Sequence, residues 1–184
     1  MESRVRVMLA SAAALIAALS AGAPVAIHGQ GVLAPVRVTV DQGVEADALD
    51  RQAAERYGTP REWRTAARLH ERAAALRGPA DASASESLEM AAHLYRAAGD
   101  LGKARSAMER AASHAAARGD VVTAANAYVD AGLLALENGR DDQVATLARK
   151  AETIAYSPLL SELQRATIMN RVGYSQLLAV VDGK

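Results

Sequence analysis

Residues 83–120 read SASESLEMAAHLYRAAGDLGKARSAMERAASHAAARGD, and residues 121–155 read VVTAANAYVDAGLLALENGRDDQVATLARKAETIA. Each stretch contains an apolar-periodic run, a glycine beside Asp or Arg, and a second apolar-periodic run. The glycines at these breaks, Gly99 and Gly139, are 40 residues apart. A period in this range, divided into two helical halves, is typical of stacked helical hairpins.

Further breaks extend this pattern over most of the chain. Gly58 precedes Gly99 by 41 residues, and Gly78, Gly119 and Ser157-Pro158 fall midway between the others. These breaks predict helices over 44–57, 60–77, 83–98, 101–118, 121–138, 141–155 and 158–172, with Gly173 interrupting before a closing helix over 174–181. The predicted fold is all-α: about three antiparallel hairpins and a C-terminal capping helix. A non-repeating bundle of similar Ala-rich helices is the alternative.

Helix starts carry recognisable capping residues. Thr59 and Glu62, with Pro60 between them, have the spacing of a capping box, and so do Ser83 and Glu86. We also expect Asp100 and Asp120 to cap the helices that follow them.

Composition excludes several classes of function. The 21 Lys and Arg balance the 21 Asp and Glu, so no overall field attracts nucleic acid. Aromatic residues make up 3% of the chain, too few for stacking platforms. There is no Cys, which excludes disulfides, thiolate nucleophiles and Cys-based zinc sites. Alanine supplies roughly a quarter of the residues, which favours closely packed helices.

The N-terminal residues resemble a secretory signal. Arg4 and Arg6 precede an apolar run over 7–19, and small residues follow where cleavage would occur. We expect residues 1–26 to be a cleaved signal peptide and the protein to be periplasmic or secreted. An uncleaved membrane anchor and an internal helix are the alternatives.

Residues 27–43 are expected to form an extended linker. The Val-rich alternation over 36–40 would also suit a strand that pairs with a partner's sheet edge. Residues 44–181 form the predicted helical domain.

The two hairpins resemble the tetratricopeptide repeat family. In the first hairpin the matching residues are Leu88, Ala91, Ala92, Tyr95, Gly99, Ala104, Met108 and Ala111. In the second they are Tyr128, Ala131, Gly132, Ala135, Gly139, Val144, Ala148 and Ala151. The period is longer than the usual 34 residues of that family. Ala92 and Gly132 fall where the helices of a hairpin should cross, a place that accepts only small side chains.

The resemblance implies a binding scaffold for a peptide or protein partner, with a groove lined by the first helix of each hairpin. Carried onto this sequence, the groove residues are Glu45, Gln52, Glu55, Arg56, Glu86, Glu89, His93, Arg96, Asn126, Val129 and Leu133. The set lacks the Lys/Asn combination with which some members of the family hold a C-terminal carboxylate. The set is mixed in charge and centred on acidic residues, and only Arg56 and Arg96 could take one acidic group of the ligand.

No catalytic or cofactor site is predicted. His70, His93 and His114 fall on different helices without the spacing of a metal site, and each is expected to be solvated or at the core edge. Glu86 and Glu89 share one helix face, which is more often a solvated face than a carboxylate pair for hydrolysis.

The alternative function is that of an assembly subunit. The apolar helix over 121–136 and the closing helix with Leu177, Leu178, Val180 and Val181 would then bury against another chain or a second copy. A homo-oligomer belongs to this alternative.

Overall fold

The computed structural model describes residues 40–182, with side chains over 41–181. This region contains seven helices and no strand. The helices are α1 (Val40–Ala54), α2 (Pro60–Arg77), α3 (Ala82–Ala97), α4 (Leu101–Ala117), α5 (Val121–Glu137), α6 (Asp141–Ala155) and α7 (Glu162–Asp182). Each helix packs against the next along the chain, and α7 also packs against α5. The prediction of an all-α array of three hairpins and a terminal helix is therefore confirmed.

The same turn joins α3 to α4, α4 to α5, and α5 to α6. Gly99, Gly119 and Gly139 adopt left-handed φ angles of 78°, 78° and 65°. At the first of these turns the Asp100 amide donates to the Tyr95 carbonyl (2.8 Å) and the Gly99 amide to the Arg96 carbonyl (3.0 Å). The other two turns repeat this pair of bonds, which defines the Schellman motif. Three-residue connections closed in this way make the neighbouring helices antiparallel.

Small side chains line the helix contacts. Ala91, Ala92, Ala131 and Ala135 are fully buried, and Gly132 is buried as well. A Cβ atom at Gly132 would lie 3.8 Å from the Leu147 Cβ atom of α6, which is an ordinary contact distance. Alanine-sized residues therefore set the close approach of the axes, and a branched side chain at Gly132 would overpack it.

The helix caps follow the predictions only in part. Thr59 accepts a bond from the Glu62 amide (3.3 Å), and Asp120 accepts one from the Thr123 amide (3.1 Å). Asp81, not Ser83, caps α3, because its carboxylate accepts from the Ser83 amide at 2.9 Å. Asp100 stands at the N-cap position of α4, but its carboxylate accepts from Arg64 Nε (2.9 Å) instead.

Helix α1 begins earlier than predicted. It starts at Val40, inside the residues assigned to an extended linker, and it ends at Ala54 instead of residue 57. The rest of the predicted linker and the signal peptide lie outside the described residues. The terminating turn is held by a bond from the Arg56 amide to the Ala53 carbonyl (2.9 Å).

The break predicted at Gly173 is wrong. Helix α7 runs through it without a left-handed φ, and Ser175 Oγ donates to the Val172 carbonyl at 2.8 Å. Burial of Ile168 and Val172 offsets the roughly 1 kcal/mol that a helical glycine costs relative to alanine. The helix starts at Glu162 because Ser161 and Gln164 cap one another's amides at 2.9 and 3.3 Å.

Candidate partner-binding groove

A groove lies between α3 and α5, the first helices of two successive hairpins. Its larger compartment is a cavity of about 400 Å³. Met108 of α4 and Leu134 of α5 are buried and contribute apolar walls, while Leu133 and Leu178 are half-buried at the same cavity. The residues that line this compartment are Ala92, His93, Arg96, Met108, Asp130, Leu133, Leu134, Leu136, Glu137 and Leu178. Aliphatic side chains thus provide an apolar surface inside a polar rim.

A smaller compartment of about 230 Å³ adjoins the first. His93, Met108 and Asp130 line both compartments, so the two lie side by side. The other residues that line the smaller compartment are Glu89, Thr123, Asn126 and Ala127. We call the larger one the apolar compartment and the smaller one the acidic compartment.

The two arginines at the groove are already engaged by acceptors of the protein. Arg96 Nε of α3 lies 2.8 Å from Glu137 Oε2 of α5. Arg171 of α7 donates to Asn126 Oδ1 at 2.6 Å and to Asp130 Oδ1 at 2.5 Å. These bonds connect the helices around the groove and neutralise both positive charges locally.

Glu89 differs from these paired groups. Its side chain is half-buried in the acidic compartment and accepts no hydrogen bond from any described residue. Burial raises the pKa of its carboxyl above the ordinary value, the nearby His93 lowers it, and Asp130, Glu86 and Asp120 raise it further. The surroundings of Glu89 therefore disfavour the charged form of its carboxyl relative to the same group in water.

The structure brings together five of the predicted groove residues. Glu89, His93, Arg96, Asn126 and Leu133 all line the two compartments between α3 and α5. Five residues at the groove were not predicted to lie there: Asp130, Glu137, Met108, Leu178 and Arg171. Asp130 and Glu137 could have been found from the sequence, because each follows a predicted groove residue, at positions 126 and 133, by four residues on the same helix face.

The other predicted residues lie elsewhere. Glu45, Gln52 and Glu55 line a separate depression on α1, with Ala48, Leu49 and Arg51. Glu86 lines a depression against the α1–α2 hairpin, and Arg56 is exposed in the α1–α2 connection. Val129 is an incorrect prediction, because it is 1% exposed and belongs to the core.

The structure does not bring Arg56 and Arg96 to the same groove. Arg56 lines none of the described cavities near α3, and the Arg96 guanidinium is bound by Glu137. The groove consequently offers a free carboxylate where the sequence had suggested free arginines.

A buried polar cluster, which the sequence did not reveal, joins α1, α2 and α3. Arg77 donates to Asp47 Oδ1 and Ser87 Oγ at 2.6 Å each, and it also binds Asp50. His70, expected to be solvated or at the core edge, is only 5% exposed, and its Nδ1 lies 2.5 Å from Asp50 Oδ1. Its Nε2 contacts the Tyr57 hydroxyl at 3.1 Å. Ser87 bonds to Asp50 and Arg77, not to His70, so the cluster lacks the serine–imidazole contact of a nucleophilic triad.

Within residues 41–181, no group of His, Asp and Glu side chains has the arrangement of a metal site. None of the helices in the described part of the chain is long and apolar enough to cross a membrane.

Comparison with models of known protein families and with curated proteins finds no match to this chain. The arguments about function therefore rest on the residues and geometry of the groove.

Proposed function

We propose that this protein is a non-catalytic binding scaffold, whose partner is a segment of another protein held between α3 and α5. The observation that supports the proposal is the groove itself: an apolar compartment of about 400 Å³, rimmed by polar side chains, between rigid helices. Pockets of this size with an apolar lining and a few placed polar groups are common ligand sites. Helices joined by Schellman turns hold the walls in place.

Membership of the tetratricopeptide repeat family is part of this proposal. It is supported by the 20-residue alternation of Gly99, Gly119 and Gly139 and by small residues at the helix crossings. Export to the periplasm is a further part, based on the sequence of residues 1–26. N-terminal sequencing of the protein from its native host tests export: a start between about residues 21 and 27 is expected, and Met1 would contradict cleavage.

A pull-down from periplasmic extract tests the binding function. The full chain serves as bait beside Leu133→Arg, which fills the apolar compartment, and Arg149→Glu, which changes an exposed charge on α6. We expect the wild type and Arg149→Glu to retain the same partner and Leu133→Arg to lose it. Retention by Leu133→Arg, with unchanged circular dichroism, would place the binding surface outside the groove.

A second candidate function is assembly through α7. Tyr174, Leu177 and Val181 follow one another at helical spacing and are 57%, 60% and 60% exposed. An exposed apolar row of this kind often marks an interface. Light scattering after size exclusion distinguishes the two candidate functions. A dimeric wild type that becomes monomeric on Leu177→Lys would favour assembly through α7. A monomeric wild type would exclude self-assembly.

A further inference from the structure

The charges of the groove favour one chemical class of partner. Of the arginines beside the two compartments, Arg96 is bound by Glu137 and Arg171 by Asp130 and Asn126. Glu89 has no such partner among the described residues, and Glu86 lies one turn before it on α3. The acidic compartment therefore presents a carboxylate that neither arginine engages, with His93 one turn further along α3 as its nearby basic group.

The apolar compartment follows at a short distance along the same two helices. Glu89 and Arg96 are separated by seven residues of α3, which corresponds to about 10 Å along the axis. His93, Met108 and Asp130 line both compartments, so a ligand that lies along α3 and α5 would meet the two in succession. The apolar compartment extends along this stretch as far as Arg96, so a matching ligand carries a cation within about 10 Å, or two helical turns, of a bulky aliphatic side chain.

From these observations we infer that the groove binds a cationic amphipathic segment of a partner protein, with Lys or Arg at Glu89 and an aliphatic side chain between Met108, Leu133 and Leu178. This inference rests on the proposed binding function and adds the chemistry of the partner. The ammonium or guanidinium group would supply the hydrogen-bond donors that the Glu89 carboxylate lacks. An acidic segment would instead face the Glu89 carboxylate, which no arginine of the groove engages, and would be repelled.

Three synthetic alanine-based helical peptides test the inference. Each peptide has two leucines one turn apart and, two turns away, a pair of identical polar residues, which are Lys, Gln or Glu. Each is made with the polar pair before the leucines and with the pair after them, because a helix can lie in the groove in either direction. Binding to the full chain is followed by amide chemical shifts in nuclear magnetic resonance spectra. We expect the Lys peptide to bind at least about fivefold more tightly than the Gln peptide, and the Glu peptide to bind most weakly.

Variants of the full chain locate the effect. Glu89→Gln should reduce Lys-peptide affinity to that of the Gln peptide and leave Gln-peptide affinity unchanged. Glu55→Gln, which removes the same charge from an exposed site just after the end of α1, should alter neither affinity. Leu133→Ala should weaken all three peptides, and its circular dichroism should match the wild type.

The possible results separate this inference from the function on which it rests. Equal affinities for the three peptides, with shifts confined to the groove, would overturn the inference and retain a binding groove. Tightest binding of the Glu peptide would also overturn it. Absence of saturable binding by any peptide would overturn both the inference and the groove function.

Discussion

Replacing Arg77 by Met should weaken the attachment of α1 to the remaining helices. The Arg77 side chain is 6% exposed and is the only described group that bonds to Asp47, Asp50 and Ser87 together. Apolar support for α1 is limited, because its buried residues within 41–54 are Ala46, Leu49 and Ala53. The ion pairs of Arg77 therefore supplement a small apolar contact between α1 and α2.

The size of the effect follows from the exposure of the partners. Removing one member of a fully buried ion pair costs about 3–5 kcal/mol. Asp47 is 61% exposed and can rehydrate, so its bond contributes little. Asp50 is 25% exposed and keeps its bonds to His70 and Ser87, which places the expected loss near the lower limit, about 3 kcal/mol. For a domain of this size that corresponds to a fall in Tm of roughly 10 °C.

Urea denaturation followed by circular dichroism measures the loss, and hydrogen exchange localises it. We expect amide protection in α1 to fall first, because α1 contacts only α2 extensively. The double variant Arg77→Met/Asp50→Asn should lose less than the sum of the single variants, because each removes the same interaction. A loss below about 1 kcal/mol for Arg77→Met, or unchanged protection in α1, would refute this account of the cluster.

Three further predictions test other parts of the structure. Gly132→Leu should destabilise the protein by about 1–3 kcal/mol in urea melts whereas Gly132→Ala should be mild, since only the larger side chain overpacks against Leu147; equal melting curves would show that the helix crossing is misplaced. Gly119→Ala should lower the free energy of unfolding by about 1 kcal/mol in urea melts, because the φ of residue 119 is 78°. Gly173→Ala lies within a helix and faces open space, so it should leave that free energy unchanged or raise it by up to about 1 kcal/mol. Because the Glu89 carboxyl has a raised pKa in the folded state, its ionised form destabilises the fold, so Glu89→Gln should have the higher Tm at neutral pH. That advantage should shrink as the pH falls through the raised pKa and be gone below the ordinary value of 4.5, whereas a lower Tm at neutral pH would show that Glu89 is structurally required.

The sequence predicted those elements that depend on local signals. Gly99, Gly119 and Gly139 identified three turns because a left-handed C-terminal residue strongly favours glycine. Gly173 is the same residue type without a left-handed φ, and only its packing, with Ile168 and Val172 buried, decides that the helix continues. Local signals therefore fail where tertiary contacts determine the outcome.

The groove could be predicted only in part for the same reason. The family resemblance implied that Glu89, His93 and Arg96 line a groove, and the structure places all three at the compartments between α3 and α5. The sequence did not show that Glu137, 41 residues further on, engages Arg96 and leaves Glu89 as the unpaired charge. The predicted set was mixed in charge, and pairing between distant helices, which the sequence does not show, decides which of these charges stays free.

Site-specific photo-cross-linking tests the binding groove most directly. The chain contains no Cys, so a single introduced cysteine can carry a benzophenone label without a background reaction. Three single-cysteine variants are labelled: His93→Cys in the groove, Arg149→Cys on α6 and Leu177→Cys on the outer face of α7. The yield of cross-linking to the partner retained in the pull-down is then compared between them. The proposed function predicts cross-linking from residue 93 and little from residues 149 and 177. Efficient cross-linking from residue 177 with none from residue 93 would contradict it and support assembly through α7.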